Sequence, residues 1–415
     1  MKARPSGSMT VAALAGALLS SPAPALSADS AQPARSLGRA LREGKTSVSL
    51  RYRYEQVSDD APDVSGKQAR ASTLRSTLSY RTAAWHHTRL FVEFEDVTDI
   101  GLDHQHDNAG AGGLANGVTD RPVIADPDVT ELNQLTLRYA HGETTIDLGR
   151  REIVLGTQRF VGPVGWRQNH QSFDALVLTQ SSIPRTKLTY IYIDKVNRIF
   201  GDDKPMASHL LDAEVSFESG KLTPYIHRLD YDRVEDAGSS SLTFGARWHG
   251  QLVASERWSV PYQLELAHQQ DAADNPSAFD VESVAVEIGA ASERLELKAG
   301  FERLGADANQ GRFTTPLATL HKFNGWADKF LQTPAGGLED LYLSVRGSRG
   351  AASGTLVIHD FGSDAGSIDY GFEIDGEIKY EAPWKQVFAL AFALYDADQF
   401  AADTDKIWLW TSWAF

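Results

Sequence analysis

The sequence predicts an all-β chain closed into a transmembrane antiparallel β-barrel of about 18 strands, with short periplasmic turns and long extracellular loops. Three observations predict it. Apolar and polar residues alternate with period two along most of the chain. The connections between alternating segments are by turns long and short. The last segment sets Ile407, Leu409, Thr411, Trp413 and Phe415 on one face.

The alternation is explicit. Val48, Leu50, Tyr52 and Tyr54 interleave with Ser49, Arg51, Arg53 and Glu55. Leu242, Phe244, Ala246 and Trp248 interleave with Thr243, Gly245, Arg247 and His249. Successive strand side chains point to opposite faces, so each segment has one apolar and one polar face. The segments fall near 47–55, 72–82, 88–96, 132–140, 144–149, 173–180, 187–194, 209–217, 222–230, 241–249, 261–269, 280–289, 293–303, 340–347, 354–361, 367–380, 386–396 and 406–415. Residues 56–71, 97–131, 150–172, 195–208 and 304–339 form long connections. Residues 83–87, 141–143, 181–186, 218–221, 348–353 and 381–385 form short ones. A soluble sandwich has no reason to segregate its loops this way. In the final strand, Leu409, Trp413 and Phe415 are assigned to barrel closure, because an exposed apolar terminal edge would invite aggregation in a soluble protein.

Composition agrees. The 415 residues carry 40 Lys and Arg against 55 Asp and Glu, a net charge of −15, which argues against nucleic-acid binding. There is no cysteine, so disulfides, thiolate catalysis and cysteine-ligated metals are excluded. The apolar runs Val11–Leu19 and Val387–Tyr395 are far shorter than the roughly 20 residues of a membrane-spanning helix.

Lys2 and Arg4, the apolar stretch Thr10–Ser20 and the small residues Ala25 to Ala28 have the layout of a secretory signal peptide. The expected organisation is a signal peptide at 1–28, a periplasmic segment at 29–46 and the barrel at 47–415.

The polar face of each strand should line the lumen. It supplies Arg51, Arg53, Arg75 and Arg138, with Arg150 and Arg151 at the loop edge, and Glu93, Glu95 and Asp147 interleaved. Residues 29–200 hold 21 basic and 21 acidic side chains, whereas 201–415 hold 17 and 34. Clustered arginines can attract anions as a constriction, or can pair with the carboxylates and brace the wall. The segment 149–175 is long but carries Phe160, Val161 and Trp166. Apolar groups avoid water, and the lumen is the nearest shelter. Arg159, Arg167, Gln168 and Asn169 would then face the passage; the alternative is a surface loop folded on itself.

The succession Glu131-Leu132-Asn133-Gln134, Leu148-Gly149-Arg150-Arg151, Gln158-Arg159-Phe160, Trp166-Arg167-Gln168-Asn169 and Ser172-Phe173-Asp174-Ala175 resembles the alginate-export family of Gram-negative outer-membrane proteins. The resemblance is best over roughly 45–200. It implies an 18-stranded barrel with an arginine-rich lumen, narrowed by in-folded loops and inserted by the barrel assembly machinery.

Enzyme motifs are weak. Asp103, His104, His106 and Asp107 sit together in one loop, but EF-hand spacing is absent and Gly350–Gly354 is no nucleophile elbow. No catalytic, metal or cofactor site is expected. The leading expectation is a porin-like channel for anionic or carbohydrate solutes. The alternatives are a dedicated exporter of an alginate-like polysaccharide, and an outer-membrane enzyme or adhesin. The expected partners are outer-membrane lipid, the transported solute and the assembly machinery, with no nucleic acid.

Overall fold

The computed structural model describes residues 34–62, 65–307 and 311–415. The expected signal peptide and the start of the 29–46 segment lie outside the described residues.

Eighteen antiparallel strands form one closed sheet. They are β1 (Lys45–Asp59), β2 (Gln68–Arg81), β3 (Thr88–Asp99), β4 (Val129–His141), β5 (Thr144–Arg151) and β6 (Ser172–Gln180). Then follow β7 (Thr186–Asn197), β8 (Asp203–Ser216), β9 (Lys221–Leu229), β10 (Ser241–Val253), β11 (Ser259–Asp271) and β12 (Asp280–Ala291). The last six are β13 (Leu295–Leu304), β14 (Leu338–Arg349), β15 (Ala352–Gly362), β16 (Asp369–Glu381), β17 (Val387–Ala397) and β18 (Thr404–Ala414). Each overlaps one segment read from the alternation. β1 pairs with β2 on one side and β18 on the other, with Arg53 opposite Trp410, so no edge remains. Among the described residues no helix is long and apolar enough to cross a membrane.

The loop pattern also holds, with one difference. Residues 195–208 do not form a long loop. β7 continues past a bulge at Ile193/Lys195 and pairs Asn197 with Asp203, leaving only 198–202 between strands. The shortest turns lie at the other end. Trp85 and Thr88 close one by reciprocal 2.9 Å hydrogen bonds across His86 and His87, both at positive φ. Helix α1 (Leu37–Arg42), capped by the Ser36 hydroxyl, docks at this end through Ala83 N–H donating to Ala40 O at 3.1 Å.

Outward positions are apolar through mid-height: Leu78, Phe94, Leu137, Leu148, Leu343, Leu390 and Leu409 are exposed. The interior is filled. The 305–337 loop contributes Phe313, Trp326 and Phe330, and the 152–171 loop contributes Trp166, to one cluster with wall residues Leu338, Phe361, Tyr395 and Trp408. Val161 and Leu317 pack with Phe173, Ile191 and Leu210 in a second. Burial of this apolar surface is what carries two long loops out of water and into the barrel.

Candidate functional site: a lumen closed by two loops

The 152–171 loop is tied to the inner wall by arginines. On β1, Arg51 donates from Nε to Gln168 Oε1 at 2.8 Å, from Nη1 to Gly165 O at 3.0 Å and from Nη2 to Arg167 O at 2.9 Å. Two residues on, and therefore on the same face, Arg53 donates to Trp166 O at 2.6 Å and pairs with Asp126 and Glu55. Its guanidinium lies 5.4 Å from the Trp166 ring centroid. On β2, Arg75 approaches Glu95 at 4.0 Å and the His170 ring at 3.1 Å. Gln168 donates to Thr73 and accepts from Arg51, and Asn169 donates to Pro127 O at 3.0 Å. The loop's other end reaches the opposite wall, where Arg159 meets Glu302 of β13 at 2.8 Å. A loop held by β1 and β13 together spans the lumen.

The second loop locks onto the first. Trp166 stacks on His321 with centroids 4.2 Å apart, and its ring meets Trp408 and Trp410 edge-on. Phe160 packs on Tyr225, His227 and Phe313. Asp328 is the hub. It accepts from Arg167 at 3.0 Å, His321 at 2.7 Å and Lys406 of β18 at 2.8 Å. Burial works against its charge, but His321, Lys406 and Arg167 outweigh burial and hold its carboxyl well below the usual range. Arg167 also pairs with Glu55 at 3.2 Å. Glu373 and Asp375 of β16 accept the backbone N–H groups of Ala327 and Trp326 at 2.6 and 3.2 Å.

The arginines named from the sequence therefore do not form one ring. Arg51, Arg53, Arg75, Arg159 and Arg167 converge on the loops. Arg138 and Arg151 share Asp147 lower on the wall, Arg138 by 2.5 and 2.8 Å hydrogen bonds. Among the described residues Glu93 has no arginine at ion-pair distance; it accepts from Asn133 and Gln134. Arg150 is a correction. The ladder sets it opposite Leu135 and two positions from Leu148, both outward and exposed, so it points away from the lumen. Consecutive residues on a strand cannot share a face, and Arg151 takes the inner one. Gly149 lies between the two faces' demands at φ +116°, its Cα against the Leu135 carbonyl, where a side chain would collide. At the closing strand, Leu409 faces outward, Trp413 lies opposite Leu50, and Phe415 exchanges backbone hydrogen bonds with Val48.

Sequence reasoning missed the 305–337 loop as a partner. Its signal was present: Phe313, Trp326 and Phe330 in a long connection repeat the argument that folds 149–175 inward. Two further acids reach the loops: Asp126 pairs with buried Arg53, and Asp59 meets Lys329 at 2.8 Å.

Above the loops lies a cavity of about 900 Å³ on the long-loop side. Its lining includes Arg121, Arg159, Arg167, Arg198, Lys204, Arg312, Lys329 and Lys406, against Asp59, Asp107 and Asp328. Among the described residues neither Arg121 nor Arg312 has a carboxylate at salt-bridge distance; Arg121 donates to Gln68 O at 3.0 Å. A second group of cations gathers under the loops, beside residues 156–157. The Arg247 guanidinium occupies the space a side chain at Gly156 would need, and Lys322 Nζ donates to Thr157 O at 2.9 Å. Burial, then Lys298 and Arg247 nearby, hold the Lys322 ammonium below the usual lysine value.

A closed 18-stranded barrel with an apolar belt, a polar lumen and in-folded loops defines the class: a channel barrel of the Gram-negative bacterial outer membrane. Within that class the chain belongs to the alginate export family, which matches residues 44–298. Similar solved structures are Pseudomonas aeruginosa OccK9 (OpdG), with TM-score 0.71 and 14% identity over 91% of this chain and 99% of that one. The crystal structure of Pseudomonas aeruginosa OpdK with vanillate has TM-score 0.71 and 14% identity over 90% and 99%. Acinetobacter baumannii OccAB2 has TM-score 0.70 and 15% identity over 91% and 100%. These likenesses establish the shared fold. No curated protein sequence matches the chain.

Proposed function

We propose that the protein is a porin-like channel that admits small anionic solutes, carboxylates foremost, from the external medium. The observation that carries this reading is the cavity lining: eight Arg and Lys against three Asp at the mouth of a passage narrowed by two loops. Such a field raises the local anion concentration and speeds capture. Arg247, Lys298 and Lys322 continue the sequence of cations below the loops, so a carboxylate can be handed on through several weak sites, as conduction requires. A cavity of about 900 Å³ fits a small molecule, and the similar OpdK binds vanillate, an aromatic carboxylate. Family membership favours a second reading, export of an acidic polysaccharide. The filled lumen supports the first, because a polymer would need both loops displaced at once. We read no catalytic role for the loops. Lipid contact through the apolar belt, insertion by the assembly machinery and export by the 1–28 leader belong to the same proposal.

The experiment is planar-bilayer recording of the refolded protein in a salt gradient, with competing solutes. Anion preference and current block by monocarboxylates are expected. Block by uronate oligomers alone supports the exporter. Cation preference overturns both.

A further inference from the structure

Helix α1 lies apart from the passage and from both in-folded loops, and its exposed groups are sorted by face. Leu37 and Leu41, one turn apart, are 51% and 48% exposed. At about 100° per residue, Arg39 and Arg42 point away from them, while Ala40 is turned to the barrel and buried. Arg39 holds Glu43 at 2.6 Å. Among the described residues, Arg35 and Arg42 have no carboxylate at ion-pair distance. Backbone bonds fix the helix against the turn between β2 and β3: Ala34 N–H donates to Ala84 O at 2.8 Å, beside the bond from Ala83 to Ala40. The Tyr80 hydroxyl donates to Leu41 O, and its ring fills the space a side chain at Gly44 would need. Tyr80 is itself an outward residue, two positions from exposed Leu78 on β2.

We propose that α1 is an interfacial anchor seated on anionic phospholipid of the periplasmic leaflet, with Leu37 and Leu41 among the acyl chains and Arg35, Arg39 and Arg42 on headgroup phosphates. The proposal rests on the outer-membrane assignment but not on the transported solute. Level supports it. Tyr80 stands one residue from the end of β2, and at the matching short-turn ends of β4, β16 and β17 stand exposed Tyr139, Tyr380 and Phe388. An outward ring of aromatic side chains marks the membrane–water boundary, so a helix that touches Tyr80 lies at that boundary. Its leucines then continue the apolar belt that passes through Leu78. Charge supports it too. Residues 34–50 and 76–90 carry Arg35, Arg39, Arg42, Lys45, Arg81 and Arg89 against Glu43 alone. The neighbouring 408–415 stretch of β18 adds no charged side chain, only the terminal carboxylate at Phe415. Other short turns differ: Glu143, Glu218, Glu256 and Glu293 each stand in one. Leucines on one face and arginines on the other are what a helix lying in the interface needs, and anionic lipid attracts the basic face. A helix of six residues is too short to form alone in water. The Ser36 cap and the contacts to Tyr80, Ala83 and Ala84 hold it ready, which lowers the ordering cost of binding.

The chain has no cysteine, so single nitroxide labels on Leu37→Cys, Leu41→Cys and Arg42→Cys report the two faces in the full-length protein. The labelled proteins are reconstituted into vesicles of phosphatidylglycerol or of phosphatidylcholine. Relaxation of each label is measured with oxygen, which concentrates among acyl chains, and with a water-soluble nickel chelate. In phosphatidylglycerol the labels at 37 and 41 should respond to oxygen and be shielded from nickel, whereas the label at 42 should meet nickel. Arg35→Gln with Arg39→Gln should lower the ratio of immersed to free label at 41 by about fivefold per guanidinium removed. In phosphatidylcholine the wild-type helix should be less immersed, and the same two substitutions should change nothing. Unchanged bilayer conductance of every variant confirms that the barrel is intact. Equal nickel access at 37, 41 and 42 overturns the proposal, as does equal immersion in the two lipids or an arginine variant that stays immersed. Shielding of position 37 from both reagents would put a second copy of the chain or another protein on this face, and overturns it as well.

Discussion

Replacing Asp328 by Asn should unlock the two loops while leaving the barrel intact. Asp328 is buried and accepts from two cations, Arg167 and Lys406, and from the imidazole of His321, whose charged form burial disfavours. A hydrogen bond to a charged group is worth about 1.5–3 kcal/mol, and the three do not add, because Asn keeps one acceptor oxygen and Arg167 keeps Glu55. Breaking a buried pair from one side costs about 3–5 kcal/mol, mostly through the cation left behind. At about 1.4 kcal/mol per tenfold, the lower figure is a loop-opening equilibrium shifted by about 100-fold. Hydrogen exchange over 320–330 should accelerate by that factor, while the ladder amides of β1 and β18 keep their protection. In bilayers the variant should open more often or conduct more. Adding Lys406→Met removes one stranded cation and should recover part of the loss. The pH dependence has a definite sign. A carboxyl depressed in the fold contributes above its unfolded value, about 3.9, and loses that contribution only as pH falls through its lower folded value. The contribution of Asp328's own ionisation should therefore be constant from pH 8 to pH 5, and a change in that window belongs to the histidines, His321 with its imidazolium disfavoured by burial and His170. Wild-type exchange over 320–330 in the Asn variant would refute the hub.

Three further outcomes follow from the same geometry. Arg121→Glu with Arg312→Glu should reduce or reverse anion preference in reversal-potential measurements without destabilising the loops, since neither residue has a carboxylate partner among the described residues; an unchanged potential would place selectivity elsewhere. Burial disfavours the His170 imidazolium, but Glu95 and Glu152 outweigh burial and raise its pKa, so its contribution is present below the unfolded value near 6.5 and fades as pH climbs through the higher folded one. Exchange in the 152–171 loop should rise on the alkaline side in wild type and stay flat in His170→Gln; parallel profiles would show that His170 is not the titrating group. Leu409→Arg puts a charge on the outward face of β18 at a cost of about 2–4 kcal/mol near the bilayer midplane, so folded protein in the outer membrane should fall, and normal levels would mean the strand's outward face is misplaced.

The strands were legible because period two is a local property, and local alternation survives whatever the lumen contains. Which of the two faces looks inward is not local. In β1, Arg51 and Arg53 fall on the polar face and the polar face is the inner one. In β6 and β7 the rule inverts, because Phe173, Ile191 and Ile193 meet an apolar loop inside while Asp174 and Lys195 pair with each other on the outer face. Arg150 was misassigned for this reason. The hub around Asp328 was hidden for another. Arg167 and Asp328 are 161 positions apart, and only the fold of both loops brings them together.

Ion pairing of the arginines does not cancel their attraction for anions, because the pairs are oriented. Arg159, Arg198 and Lys204 line the cavity, whereas their partners Glu302, Asp202 and Asp236 do not; Arg167, Lys329 and Lys406 share the lining with Asp328 and Asp59. An anion in the cavity meets the cation first and the carboxylate behind it. At an effective dielectric constant near 20, a unit charge about 4 Å away contributes about 4 kcal/mol, and one about 7 Å away about 2.4. Each oriented pair therefore leaves a net pull of about 1–2 kcal/mol, where an unpaired arginine would exert the full attraction. Several such pulls in succession draw an anion in without trapping it. The same carboxylates keep the loops seated, so the groups that moderate binding are also the groups that set the width of the passage. Stripping a carboxylate from behind the wall should then change affinity and aperture together, whereas removing Arg121 or Arg312 should change affinity alone.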